Sequence, residues 1–472
     1  MKKVKNLFCI ALSILMVLSV IPAVSASSGW DIFWNDTEES ELGLIMQPGR
    51  TESERNFSWY TSEDVNSAYL EIGTNPLLIG AEKAQAQVIN DLHGSNVAKV
   101  TVTGLSEGET YYYCVVSGEE KSNIYSFSTV SGDSFSALYM SDIHITLNEE
   151  TGDTRDTAYA FADLLSEVTF KHDVNMILSA GDQATDGLLT EYKGLTFSPL
   201  SRSLTFATAI GNHDRKGIAY KYFTNLPNED EGMISSPQGG NYYFTKGEVL
   251  FLVIDSNNAS ATDHRNFIEK AVKENEDLKW RVVMMHHDLY GGSIEHRESE
   301  NNLLRMILSP IFDEFGIDLV LTGHSHHYSI SHVLYNGEVV TELENGGTIN
   351  NAEGTVYMVS ASVGRARDEE GVYSDRVAIG MDDFTDRLYN IIDFSEDSIT
   401  VTTYERGEDE AFAGFTLTKD DDYKAPGVGF FRKLIGKILG AIGTIYAMFN
   451  NIGRYSDLKE DGFNVNFFET IF

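Results

Sequence analysis

Residues 206–214 read Phe-Ala-Thr-Ala-Ile-Gly-Asn-His-Asp: a run fit for a buried strand, followed at once by a glycine and three side chains able to bind metal or move protons. An apolar run that ends in such a block has the form of a strand whose carboxyl end opens into a site. The form recurs four times. Phe135–Met140 runs into Ser141-Asp142-Ile143-His144, and 174–178 is followed by Gly181-Asp182. Likewise 282–285 leads to His286, and 319–321 to Gly323-His324-Ser325-His326. Open α/β sheets bind ligands outside the carboxyl ends of their strands, so five distant segments are expected to meet at one place.

The side chains decide what that place does. Carboxylates and imidazoles suit divalent or trivalent transition ions. The spacing in Asp-x-His and His-x-His lets two side chains leave an irregular turn on one side. Glycines before Asp182, Asn212 and His324 allow the backbone to bend where strand becomes loop. Two cations lying close together need an acid between them, and Asp182 is the candidate. One Asp-x-His or one Gly-Asp is common by chance; five blocks in order, each at a strand end, are not. Five of the twelve histidines fall in these blocks. His287 and His327 flank the site as candidates for substrate contact or support. His172, His264, His296 and His332 read as surface or satisfied core residues, and His93 sits in a polar loop.

Outward from the blocks, residues 134–423 alternate buried strands with helix-like stretches at 157–170, 264–274 and 301–315. In the last, Leu303, Leu304, Ile307, Leu308, Ile311 and Phe312 repeat at helical spacing. Strand pattern returns at 388–394, 398–404 and 412–417. This is an α/β layer architecture. Residues 27–130 are all β in pattern, with strands expected at 56–60, 68–72, 84–89, 98–102, 111–116 and 124–129; short strands at such spacing suggest a sandwich. Residues 424–472 stand apart. After the breaker at 424–429, Phe431, Leu434, Ile435, Ile438, Ile442, Ile445, Tyr446 and Phe449 repeat at helical spacing, with Arg432, Lys433 and Lys437 opposite. A helix docked on its own protein or on a partner chain is the favoured reading, and a membrane-surface helix the other.

Residues 1–26 read as a secretory leader: Lys2, Lys3 and Lys5, an apolar run, then Val24-Ser25-Ala26 before the expected cut. The protein is therefore expected to be secreted or held at the cell surface. Cys9 would leave with the leader, so Cys114, in a Tyr-Tyr-Tyr-Cys-Val-Val strand, has no partner for a disulfide and reads as a buried thiol. The net charge is −36, so no nucleic-acid surface is expected, and any phosphate must be held by a strong local positive centre. Buried metal ions would serve.

The ordered blocks resemble the calcineurin-like metallophosphoesterase superfamily. The segment before them, with Lys99-Val-Thr-Val-Thr-Gly-Leu-Ser-Glu-Gly-Glu-Thr-Tyr-Tyr-Tyr113, resembles the fibronectin-III-like N-terminal domain of purple acid phosphatases. The resemblance implies an αββα four-layer sandwich with two metal ions at the strand ends. It implies that Asp142, His144 and His326 hold the first ion, that Asp182 bridges, and that Asn212, His286 and His324 hold the second. It further implies that His213 contacts phosphate and protonates the leaving group, with Asp214 orienting its imidazole. The chain departs from purple acid phosphatases at His144, where they carry glycine, and at Thr185, where they carry the tyrosine that colours a ferric site. Asp288 also replaces a common proline. The ions are left open among iron, zinc and manganese.

The activity these residues imply is hydrolysis of a small phosphate monoester. A hydroxide shared by two cations attacks phosphorus, and His213 supplies a proton to the leaving oxygen. A phosphodiesterase, nucleotidase or pyrophosphatase on the same centre is the alternative, with loops 187–199, 216–239 and 291–302 expected to wall the pocket and decide. A non-catalytic surface-binding protein on this fold would be expected to break the ligand set, and none of the set is broken.

Overall fold

The computed structural model describes residue 30 and residues 42–90, 95–230, 239–292, 300–364, 371–381, 384–423 and 430–449. The leader at 1–26, His93, His296, parts of two expected pocket loops, and tail residues 424–429 and 450–472 lie outside the described residues.

Residues 45–128 form two facing antiparallel sheets. One has the strand order Ile45–Pro48, Glu54–Thr61, Asn96–Thr103, Gln87–Asn90; the other runs Glu82–Gln85, Ala68–Gly73, Thr110–Ser117, Glu120–Lys121, with Tyr125–Ser128 also on Thr110–Ser117. Ala68–Gly73 alternates buried and half-buried residues, as a strand with one covered face should. Glu54–Thr61 is buried along its whole length. Phe57 and Trp59 enter the sandwich core, while the other face meets the second domain: Asn56 Nδ2 donates to Asn225 O (2.8 Å) and Ser58 Oγ to Phe223 O. The single strand expected at 84–89 is in fact two. Glu82–Gln85 and Gln87–Asn90 lie on opposite sheets, and buried Ala86 marks the crossing. Cys114 is buried, as its setting in a strand implies.

The second domain has two seven-stranded mixed sheets. The first runs Thr205–Thr208, Met176–Ser179, Phe135–Met140, Leu388–Phe394, Ser398–Glu405, Ala411–Thr418, Thr348–Asn350. The second runs Tyr242–Lys246, Val249–Val253, Trp280–Met284, Leu319–Thr322, Val356–Val359, Tyr328–Ser331, Val377–Met381. Their inner faces share one core, in which Phe135 stacks on Phe394 and both meet Phe251. The outer face of the first sheet is covered by the helix Arg155–Lys171 through Phe161, Leu164, Leu165 and Val168. The outer face of the second is covered by Ala261–Glu274 and Glu300–Phe315. The αββα sandwich behind a β-sandwich is the architecture the sequence implied. Helix Ala261–Glu274 starts three residues earlier than expected because the Ser260 side chain caps it, accepting from Asp263 N. The short helices Leu189–Leu195 and Ala219–Phe223 were not expected.

The β-sandwich contacts the second domain on both sides of the Asn212-His213-Asp214 block. Tyr113 OH donates to Arg202 O (2.6 Å), and Lys99 Nζ donates to Lys221 O (2.8 Å). Glu52 accepts from Lys246 Nζ (2.5 Å) and pairs with Arg55 (2.7 Å). The buried Tyr113 bond and the part-buried Lys246–Glu52 pair tie the β-sandwich to the scaffold of the site.

Candidate metal centre

The parallel strands Phe135–Met140, Met176–Ser179 and Thr205–Thr208 end side by side, as do Trp280–Met284 and Leu319–Thr322 in the facing sheet. All five blocks leave from those ends. The first two continue the ladder beyond the strands, with Asp142 N bonded to Gly181 O, His144 N to Asp182 O and Thr185 N to Ile145 O, each at 3.0 Å. Nine described non-glycine residues have left-handed φ, and five are Asp142 (54°), His144 (48°), Asp182 (51°), His324 (71°) and His326 (59°). Such backbone is unfavourable for these residues and gathers at functional sites. Two left-handed residues around an ordinary one coil the chain tightly, which is how Asp142 and His144 reach one point.

The ligand atoms form two neighbouring groups. In the first, Asp142 Oδ1 lies 3.3 Å from His326 Nε2 and 3.8 Å from His144 Nε2, and the two imidazoles approach to 3.4 Å. In the second, His286 Nε2 lies 2.9 Å from Asn212 Oδ1 and 3.2 Å from His324 Nδ1. Asp182 stands between: its Oδ2 is 3.3 Å from His286 Nε2 and 3.8 Å from His144 Nε2. All seven ligand candidates are therefore together. A further grouping sets His213 with His144 and Asp182, their ligand atoms within 4.8 Å.

These residues fit a pair of cations. Asp142 Oδ1 is buried and accepts no hydrogen bond, though imidazole nitrogens face it. His286 Nδ1 is satisfied by Ala180 O (2.9 Å), which leaves Nε2 turned inward as a donor of its lone pair. Asp142 Oδ2 instead accepts from His324 N (2.9 Å), and Asp182 Oδ1 from His213 N (2.8 Å), so each carboxylate keeps one oxygen for the centre. Burial pushes the Asp142 carboxyl up, but the His326, His286 and His144 imidazoles outweigh it and hold it below its usual range. Burial works against a charged His286 too, yet Asp182 and Asp142 drive it up to about 10. The carboxylates thus draw positive charge onto these histidines. The glycine spacing is steric: a Cβ on Gly211 would stand 2.1 Å from Asp182 Oδ1, and one on Gly323 2.4 Å from Asp142 Oδ2.

The surroundings of His213 differ from expectation. Asp214 does not orient its imidazole. The Asp214 carboxylate is fully buried and accepts from Gly211 N (2.9 Å), Ala184 N (3.1 Å) and Tyr192 OH (2.7 Å). It therefore ties two loops together, and burial with the nearby Asp182 charge raises its pKa to about 7. The imidazole is held instead at Nδ1, 2.6 Å from Thr185 O, which fits an Nδ1–H donor with Nε2 left for the site. Lys216 Nζ donates to the same carbonyl (2.9 Å) and lies 2.8 Å from Nδ1. The 3-10 turn Asp214–Lys216 explains this pair, because residues three apart in such a turn share one side. Thr185 O, Lys216 and Tyr192 carry no signal in the sequence apart from the three-residue spacing from His213 to Lys216.

The remaining candidates sort by contact. His287 is buried, its Nδ1 2.8 Å from Ser256 Oγ and its ring against His286 and His324. It supports ligands. His264 is buried on Asn258 O (2.7 Å) and His332 Nδ1 accepts from Leu343 N (3.0 Å), so both are satisfied structural residues. His172 packs on Tyr389 and Tyr404. Thr185 Oγ1 bonds Thr146 Oγ1 (2.6 Å) and lies 3.5 Å from His144 Nδ1. Asp288 is buried and accepts from Asn301 Nδ2 (3.1 Å), so this side chain anchors the start of the helix Glu300–Phe315.

Comparison with known proteins agrees with this geometry. The calcineurin-like phosphoesterase family model matches residues 135–328, and the purple acid phosphatase N-terminal domain model matches residues 43–129. Side by side, the two matches give the domain arrangement that the sequence resembled, a calcineurin-like phosphoesterase domain with a purple acid phosphatase N-terminal domain in front. An uncharacterized protein of Mycobacterium tuberculosis is 28% identical over 189 residues, covering 34% of this chain and 35% of the relative. Mouse acid phosphatase type 7 is 25% identical over 183 residues, covering 35% and 41%. The matched region thus spans well under half of either relative. Among solved structures, the purple acid phosphatase PPD1 of yellow lupin superposes with a TM-score of 0.66 at 13% identity, over 82% of this chain and 77% of that one. PhoD superposes at 0.54 and 12% identity, over 85% and 98%. At these identities the superpositions speak for the fold.

Proposed function

We propose that the chain is an exported two-metal phosphoesterase that hydrolyses small phosphate monoesters. The observation that carries this reading is Asp182, whose Oδ2 stands between the His286 and His144 nitrogens at 3.3 and 3.8 Å. Asp142, His144 and His326 would hold one ion, Asn212, His286 and His324 the other, with Asp182 shared. When bound, such ions supply a nucleophile from water near neutral pH and neutralise phosphate charge. That positive centre answers the net charge of −36, which would otherwise repel a phosphate.

The chain's own groups do the rest. His213 Nδ1 is tied to Thr185 O, so its ring is fixed and Nε2 is the atom from which a proton would pass to the leaving oxygen. Thr185 makes that tie through its carbonyl, while its side chain is engaged with Thr146. A threonine at 185 offers no phenolate to the centre, so no purple absorption band is expected from that position. Export rests on the lysines and apolar run of residues 1–26.

The test is a panel of phosphate monoesters, diesters and nucleotides, assayed with protein of measured metal content. The reading expects monoesters to be preferred and activity to follow bound metal. A clear preference for diesters would move the assignment to a phosphodiesterase on the same centre, and inactivity of fully loaded protein on the whole panel would overturn it.

A further inference from the structure

The helix Phe430–Phe449 uses one face to dock and shows a row of aliphatic side chains on the other. On the docked face, Gly436 lies against Pro310, where a Cβ would come within 3.1 Å, and Gly440 against Ala261, at 2.9 Å. Thr444 Oγ1 accepts from Ala261 N at 3.2 Å. Glycine is unfavourable inside a helix, so its use here marks close backbone approach. The helix is therefore held on Glu300–Phe315 and Ala261–Glu274 as the outermost layer on that side of the sandwich.

Each docked residue stands two positions after an exposed one. Leu434, Ile438 and Ile442 are 44%, 50% and 52% exposed, and Ile445 extends the row at 49%. Two steps of about 100° turn the rows to nearly opposite sides. The aliphatic row is about 16 Å long at ~1.5 Å per residue. The same twenty residues contain Arg432, Lys433 and Lys437 and no acid, in a chain with 71 acidic and 35 basic residues. Lys433 and Lys437 are exposed, and Lys433 Nζ lies 3.9 Å from Glu314 Oε1 on the helix beneath, a loose pair that leaves its side chain 45% exposed. Among the described residues, no helix is long and apolar enough to cross a membrane.

We propose that this helix lies in the interface of an anionic lipid surface, with Leu434, Ile438, Ile442 and Ile445 inserted and the lysines at headgroup level. Aliphatic burial and cation–headgroup attraction act together in such helices. The acidic body does not forbid it. Charges more than about 8 Å away are screened at physiological salt, and the helix is the layer nearest the lipid. A second copy of the chain fits less well, because pairing the two rows would bring the same cations together.

The experiment is vesicle sedimentation of residues 27–472, which omit the apolar leader, with phosphatidylcholine vesicles containing about one third phosphatidylglycerol. The wild type should pellet with these vesicles and less with phosphatidylcholine alone. Ile438→Glu/Ile442→Glu should lower binding by about tenfold or more, with an unchanged melting temperature. Ile438→Ser/Ile442→Ser repeats the test without added charge. A wild type that stays in the supernatant would overturn the proposal, and so would double variants that bind equally well. It is also overturned if light scattering shows a dimer that the variants dissociate, or if vesicles bind only after removal of residues 450–472.

Discussion

Replacing Gly211 with alanine tests the steric logic of the centre. Gly211 does not have a left-handed φ, so alanine suits its backbone, and the effect must come from contact. The new Cβ would stand 2.1 Å from Asp182 Oδ1 and 2.4 Å from Asp182 N, where real Cβ contacts essentially never fall below 3.0 Å. The difference between 3.0 and 2.1 Å means that Asp182 must retreat by about 0.9 Å. Its Oδ1 accepts from His213 N at 2.8 Å, so the shift disturbs the shared ligand and the candidate acid together. Misplacement by about 1 Å costs on the order of 100-fold in rate, and overpacking adds about 1–3 kcal/mol of destabilisation. The assay is kcat/KM on an aryl phosphate beside metal content and a melting curve. A folded Gly211→Ala protein with wild-type rate and metal content would refute the reasoning, because Asp182 could then move freely without consequence.

Three further outcomes follow from other parts of the structure. His213→Ala should keep its metal but lose about 10²–10⁴ in turnover, most on esters with poor leaving groups; equal loss on good and poor leaving groups would remove its role as acid. Tyr192→Phe removes the hydroxyl that donates to the buried Asp214 carboxylate at 2.7 Å, and chemical denaturation should show about 1.5–3 kcal/mol lost. The Glu52 carboxyl is raised by burial but held below its usual 4.5 by Arg55 and Lys246. Its folded value lies under its unfolded one, so its stabilisation is present above pH 4.5 and disappears as pH falls through the folded value. Melting temperature measured downward from pH 5 should therefore fall less steeply in Glu52→Gln than in the wild type.

The ligand blocks were legible in the sequence because each problem there is local: an apolar strand, a glycine, then donors. Strand ends converge by topology, so reading Asp142, Asp182, Asn212, His286 and His324 as one place required only the α/β rhythm. The surroundings of His213 were not legible. Asp214 is adjacent in sequence but is turned away to bind Gly211 N, Ala184 N and Tyr192 OH, and the contact that matters is a backbone carbonyl, which every residue owns. The break at Ala86 was hidden for a similar reason. Residues 84–89 have uninterrupted strand character, and only the tertiary demand to cover both sheets splits them. Glu54–Thr61 lost its alternation because a second domain covers its outer face.

The proposed phosphoesterase activity depends on two ions that share Asp182. Titrating metal into chelator-treated protein, with bound metal and monoester hydrolysis followed together, tests it most directly. Activity should rise from near zero and level off at about two ions per chain, and Asp182→Asn should bind less metal and stay inactive. Full activity in chelated protein, or an Asp182→Asn variant that fills and works like the wild type, would contradict it.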